Sequence, residues 1–210
     1  MSKIVIFGAT GFTGQNIAKE AVIRGHQVVG IARNIEGKNL EGVSYVQGDL
    51  TDAHSFAHVT RDADVVVLAV RHSHPRVAEL VSSFAKVLEG TNTRLGVVGG
   101  AGSLFGVEGG PRVFESPDFP EAYKVEAHAA FDTLNELKEQ AELDWFYLSP
   151  PALYGSFNPG VRTGDYRLGA EVLLSDENGK SFISGEDYAI AFVDEIDMNR
   201  HSKQRFTVGY

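Results

Sequence analysis

The chain contains no cysteine in 210 residues, which excludes disulfides, thiolate nucleophiles and cysteine-ligated zinc. It has no excess of positive charge either. Lys and Arg number 19 against 28 Asp and Glu, a formal net charge of −9, which argues against non-specific binding to nucleic acid or to an anionic membrane surface. No apolar run approaches the roughly 20 residues that a membrane span needs. The first apolar segment, Lys3 to Phe7, is broken at once by Gly8, too soon for a secretory signal peptide. These absences suit a cytoplasmic protein whose partners are neither membranes nor nucleic acids. With 43% hydrophobic and 22% charged residues, the chain is composed like an ordinary globular protein, and its length suffices to bury one core as a single domain over residues 1–210.

What is present is an alternation of short apolar runs with amphipathic stretches. Lys3 to Phe7 reads as a strand buried on both faces. Phe12 to Arg24 reads as a helix closed by Gly25. Further strands are expected at Gln27 to Ala32, Val43 to Gln47, Asp64 to Val70, Leu95 to Val98 and Leu143 to Leu148. Helices are expected from Pro75 to about Leu88 and from Glu121 to Gln140, the latter with Ala127, Phe131, Leu134 and Leu137 on one stripe. This rhythm predicts an α/β fold, a doubly wound parallel sheet with helices on both faces. After Pro150-Pro151 the pattern changes, and residues 151–210 are expected to form a small substrate-side portion. It would comprise a lid over Gly155 to Gly169, a hairpin of Val172 to Leu174 with Ser181 to Ile183, a helix over Glu186 to Ile196 and a last strand at Arg205 to Val208.

Gly8-Ala9-Thr10-Gly11-Phe12-Thr13-Gly14 places three glycines at intervals of three between the first strand and the first helix. The first suits a tight turn, the second a close approach of pyrophosphate to the backbone, and the third close packing of helix on strand. The helix that follows offers free N–H groups and a favourable dipole to phosphate. All seven residues are therefore read as a dinucleotide-binding segment. The second strand ends Ile31-Ala32-Arg33-Asn34, without the acid that would hold a ribose 2′-hydroxyl. Arg33 suits a 2′-phosphate instead, which favours NADP over NAD; the alternative is a solvated arginine on a loop. Asp49 and Leu50, just past the third strand, are placed to meet the adenine edge, or to cap the next helix.

Gly8 to Gly14, Asp49, the Asp64 to Val70 strand and Leu148-Ser149-Pro150-Pro151 resemble the atypical short-chain dehydrogenases/reductases. The chain as a whole resembles bacterial NADH-flavin reductase-like or NAD(P)H-binding proteins, relatives of the flavin/biliverdin reductases and of the NmrA-like regulators. The stretches Val97 to Leu104, Arg162 to Arg167 and Ile183 to Ala189 carry the closer match. The resemblance implies a Rossmann-type fold with Ala69, Val70 and Arg71 beside the cofactor and Pro150, Pro151 and Ala152 forming a wall at the nicotinamide. It also implies a tyrosine with a lysine four residues on, which this chain lacks, since Tyr123 is followed by Ala127 at that spacing and neither Tyr147 nor Tyr154 has such a lysine.

Without that dyad the candidates for chemistry are Ser103, Lys124 and His128. Ser103 lies near the place of the family's serine, or is an ordinary turn residue. Lys124 and His128 are four apart on one helix face, where Lys124 would hold ribose or phosphate and His128 would supply a proton, unless both are simply solvated. Tyr123 reads as packing. Arg162 or Arg167 would meet an anionic acceptor if their segment folds over the cleft. His72 and His74 read as solvated residues at a helix start, and no metal site is expected. Hydride transfer to a flavin, quinone or similar planar acceptor asks little of side chains, because the cofactor carries the difficult step. The expected function is an NAD(P)H-dependent reductase of such a small-molecule acceptor, with flavin as a substrate. The alternatives are a non-catalytic NAD(P) sensor of the NmrA-like kind and, last, a nucleotide-sugar epimerase or dehydratase. The chain would act as a monomer or homodimer.

Overall fold

The β-branched runs of the sequence meet in one eight-stranded sheet in the computed structural model, which describes residues 1–52 and 57–210. The elements are β1 (Lys3–Phe7), α1 (Phe12–Ile23), β2 (Gln27–Ala32), β3 (Val43–Gln47), α2 (Ala57–Arg61), β4 (Val65–Leu68) and α3 (Val77–Leu88). They continue with β5 (Arg94–Val98), α4 (Glu121–Lys138), β6 (Trp145–Ser149), β7 (Arg167–Gly169), α5 (Gly185–Met198) and β8 (Gln204–Gly209). The strand order is β3-β2-β1-β4-β5-β6-β8-β7. Every pairing is parallel except β7 against β8. The order reverses between β1 and β4, and such a switch point opens a crevice at the carboxyl ends of the strands.

Side chains alternate across a strand, so each strand feeds two cores. Val5, Phe7, Val66, Leu68, Val97 and Tyr147 pack with Phe84, Leu134 and Leu137 under α3 and α4. Ile4, Ile6, Val65, Val67, Phe146 and Leu148 pack with Ile17, Tyr188 and Phe192 under α1 and α5. The two faces explain why the strands read as continuous apolar runs rather than alternating ones.

The C-terminal portion differs from its sequence-based expectation. Val172 bridges to Phe105 and Phe182 bridges to Leu153, so the two arms of the expected hairpin join different neighbours. The turn itself forms, with Lys180 O accepting the Asp176 N–H at 2.9 Å. Of the expected lid, Gly155, Ser156 and Phe157 line the crevice, while the stretch from Arg162 on is tied down elsewhere. Arg162 donates to the buried Glu20 carboxylate of α1 at 2.7 Å, and the Thr163 and Gly164 N–H groups donate to the buried Asp187 of α5. Arg167 begins β7 and donates to the carbonyls of Ser175 and Tyr210. Asp187 also accepts from the Tyr210 hydroxyl. Burial pushes its carboxyl up, but these donors hold it below the ordinary 3.8. The buried Asp187 carboxylate thus anchors the Thr163–Gly164 stretch of this segment to α5.

A second buried polar group joins β5, α5 and β8. Arg94 donates to the Glu195 carboxylate at 2.6 Å and to the carbonyls of Glu195 and His201 at 3.0 and 2.9 Å. Glu195 also accepts from the His201 ring at 2.6 Å and from the His201 N–H at 2.9 Å. The His201 ring stacks on Phe206 with centroids 3.9 Å apart.

Candidate functional site: a cleft at the sheet switch point

A cleft of about 870 Å³ opens along the carboxyl ends of β1, β2, β4, β5 and β6, toward the upper end of the roughly 300–1,000 Å³ of small-molecule sites. The glycine turn forms its floor. Gly8 has φ +81°, and a Cβ there would lie 2.2 Å from the Ala69 carbonyl oxygen. A Cβ on Gly14 would lie 2.2 Å from the Gly8 oxygen, so the third glycine seats helix on strand. Gly11 is different. Its φ is −79°, a Cβ there would meet only the Gly8 oxygen, at 3.3 Å, among the described residues, and it is exposed on the cleft wall. The protein's own packing does not need a glycine there.

Gly11 is also the N-cap of α1, with no side-chain cap and no acid in the first turn. The orphan N–H groups and the dipole are left for an anion at the cleft. The residues present therefore fit a dinucleotide pyrophosphate. Gly8, Thr10, Gly11, Phe12 and Thr13 line the cleft, while Ala9 is buried in the core behind it.

Arg33, Asp49 and Leu50 line the end beyond β2 and β3. Arg33 is exposed, and its guanidinium has no hydrogen-bonding or ion-pair partner among the described residues. Asp49 accepts from the Thr51 N–H and hydroxyl at 2.9 and 2.8 Å, bonds that pull its carboxyl below the ordinary 3.8. It thus caps the short 3-10 turn at Leu50–Asp52 and faces the cleft at once. Ala69, Val70, Arg71, Pro150, Pro151 and Ala152 all line the cleft.

The structure separates the expected catalytic residues from this site. The Ser103 hydroxyl is buried and accepts from Arg205 at 2.9 Å, leaving the loop residues Gly99 to Gly102 at the cleft. Lys124 pairs with Glu121 at 2.7 Å, and His128 lies against the Phe114 ring with centroids 4.5 Å apart. Neither residue lines the cleft. The face of α4 that does so carries Tyr123, Glu126, Ala127 and Ala130, a 3-and-4 spacing one position removed from Lys124 and His128. Tyr123 is thus a cleft residue, not packing.

His72 is a further correction, since it is buried rather than solvated. Its Nε2 donates to the Val98 carbonyl at 2.8 Å and its Nδ1 lies 2.9 Å from the Thr133 hydroxyl. Burial pushes it below its ordinary value. Tyr147 is buried too. Its hydroxyl donates to the Ala130 carbonyl and accepts from the Gly100 N–H, so it shapes the loop after β5 from behind. Sequence reasoning missed His74, Phe119, Glu126 and Tyr154 as lining residues. The hydroxyls of Tyr154 and Thr13 lie 3.0 Å apart, tying the segment after β6 to the start of α1. Burial pushes the Tyr154 phenol well above its ordinary 10.0, so it remains neutral.

Sheet order, switch-point cleft and uncapped helix N-terminus define a Rossmann-type nucleotide-binding protein. The family model described as NAD(P)H-binding matches residues 8–198, and the chain belongs to that family. YwnB of Bacillus subtilis is 37% identical over 98% of this chain and 97% of its own. The crystal structure of a candidate NADH-flavin reductase from Streptococcus pneumoniae is 34% identical, with 100% of this chain and 99% of that one covered and a TM-score of 0.85. A candidate epimerase from Bacteroides thetaiotaomicron is also 34% identical, with 99% and 96% covered and a TM-score of 0.87. The phenylcoumaran benzylic ether reductase Betv6 of Betula pendula is 27% identical over 92% of this chain, which spans 65% of that protein's length. Among the described residues no helix is long and apolar enough to cross a membrane.

Proposed function

We propose that the protein is an NADPH-dependent reductase that passes a hydride to a small planar acceptor of the flavin or quinone class. The cleft carries this reading. It gathers an anion-ready helix start and Arg33 into one cleft with Phe119, Tyr123, Pro150, Pro151 and Phe157, with no Tyr–Lys pair for carbonyl chemistry. The names of the Streptococcus and birch relatives support a reductase. The N–H groups at the start of α1 would hold the pyrophosphate, Arg33 a 2′-phosphate, and Asp49 and Leu50 the adenine edge. A bound reduced nicotinamide supplies the hydride. The protein's part is to fix the ring against Pro150, Pro151 and Ala152, to stack the acceptor on the aromatic wall and to exclude water. Purified protein given NADPH and a panel of flavins and quinones is expected to consume the reduced-nicotinamide absorbance steadily. No turnover with any acceptor would defeat the proposal and favour the NAD(P) sensor, the reading that the missing dyad supports.

Arg33 gives a separate test. Arg33→Ala is expected to weaken NADPH binding about 10- to 100-fold, the worth of a charge-assisted hydrogen bond, and to leave NADH binding within twofold. Calorimetry showing equal wild-type affinities for the two cofactors would remove the 2′-phosphate assignment.

A further inference from the structure

His74 lines the cleft on the segment between β4 and α3, and a chain of hydrogen bonds aims its ring. The Glu126 carboxylate, on the cleft face of α4, accepts the His72 N–H at 2.7 Å through Oε1. Through Oε2 it accepts the Ser73 N–H at 3.2 Å and the Ser73 hydroxyl at 2.5 Å. The hydroxyl has one proton and gives it to the carboxylate. Its oxygen is therefore left to accept from His74 Nδ1, 3.1 Å away. Neutral His74 then carries its proton on Nδ1, and Nε2 has no protein partner among the described residues. A carboxylate that aims a hydroxyl that aims an imidazole is how proteins fix one tautomer for proton transfer.

The position fits as well. Arg33 and Asp49 mark the β2–β3 end of the cleft, whereas His74 lies across the switch point with Tyr123 and Glu126 of α4, on the side of β4, β5 and β6. The titratable groups around it are Glu126 and Tyr123 of α4 and Arg71, His72 and Arg76 of its own segment. Arg76 is engaged by Glu79 and Asp132, each at 3.5 Å, and burial pushes His72 below its ordinary value.

We propose that His74 is the proton donor of the reduction, acting through Nε2, with Ser73 and Glu126 as positioning residues. The assignment rests on the reductase reading above. A hydride brings the acceptor two electrons and one hydrogen, and the reduced acceptor is an anion until it takes one proton. The His74 imidazolium gives that proton from Nε2 to the acceptor heteroatom and becomes the Nδ1–H tautomer that Ser73 already accommodates. Its exposed ring regains a proton from solvent. The balance is one reduced nicotinamide, one acceptor and one proton in, with one oxidised nicotinamide and one doubly hydrogenated acceptor out.

The test combines kinetics with ring nitrogen NMR. With NADPH and a quinone, His74→Gln is expected to lower kcat about 100-fold or more, the usual worth of a placed general acid, while the Kd for NADPH stays within twofold. In the wild type the neutral His74 ring should be protonated on Nδ1, and Ser73→Ala should shift it toward Nε2. A His74→Gln enzyme with wild-type kcat, or a wild-type ring protonated on Nε2, overturns the assignment and leaves the reductase reading standing. A wild type that turns over no acceptor overturns both.

Discussion

Gly11→Asp is expected to abolish dinucleotide binding while leaving the fold as stable as before, or slightly more so. The backbone at Gly11 is extended, at φ −79° and ψ 167°, a region open to any residue. A Cβ there meets nothing closer than the Gly8 oxygen at 3.3 Å, a contact that a few tenths of an ångström relieve. Aspartate is among the best N-caps and its charge complements the helix dipole, so a few tenths to about 1 kcal/mol of stability should be gained. The same carboxylate fills the cradle and repels a pyrophosphate. NADPH affinity should drop at least 100-fold, roughly 2.7 kcal/mol or more. Gly8→Ala behaves oppositely. It forces a side chain to φ +81° and drives a Cβ to within 2.2 Å of a backbone oxygen, so roughly 2–5 kcal/mol of stability should be lost. Calorimetric titration and thermal unfolding of the two variants separate a glycine kept for the ligand from one kept for the fold. Wild-type NADPH affinity in Gly11→Asp would remove the pyrophosphate from the start of α1.

The elements that sequence reasoning placed well are those whose signal is local. β1, β2 and β3 coincide with their apolar runs, and the glycine turn lies between β1 and α1 where its spacing puts it. The strand expected over Asp64 to Val70 stops at Leu68, because Ala69 and Val70 turn into the cleft wall. The short α2 carries too few residues for a helical period to show. The C-terminal errors share one cause. Val172, Phe182 and Arg167 take their strand-like partners from Phe105, Leu153 and β8, and turn residues between two apolar runs cannot reveal that the runs pair elsewhere. The α4 error has another source. Its cleft face is marked by Ala127 and Ala130, whose small side chains leave room for a ligand yet read as ordinary core. The polar residues Lys124 and His128 drew the chemistry to the neighbouring face. Ser103 was misplaced because its partner, Arg205, comes 102 residues later.

Glu195→Ala is expected to be the most destabilising single substitution outside the apolar core. Arg94 and Glu195 have side-chain exposures of 6% and 2%, so removing the carboxylate leaves a buried guanidinium with only the more distant, half-exposed Asp144, 3.4 Å from its Nε, as charge partner. Breaking such a pair typically costs about 3–5 kcal/mol, a large share of the roughly 5–15 kcal/mol that holds a domain folded. The His201 ring and N–H lose their acceptor together, which loosens the chain where it enters β8. Glu195→Gln keeps the shape and an oxygen acceptor, and should cost less, roughly 1.5–3 kcal/mol. The pH dependence follows from the carboxyl's own shift. Burial pushes it up, but the hydrogen bonds from His201 and Arg94 bring it below the ordinary 4.5. A folded-state value below the unfolded one contributes stability that is present above the unfolded value and is lost as pH falls through the folded one. The gap between the wild type and Glu195→Gln should therefore be present above the ordinary 4.5 and shrink as pH falls below it. Denaturant unfolding of both proteins across that range checks the sign. A gap that widens in acid, or a Glu195→Ala protein as stable as the wild type, would mean that Arg94 does not depend on this carboxylate to remain buried.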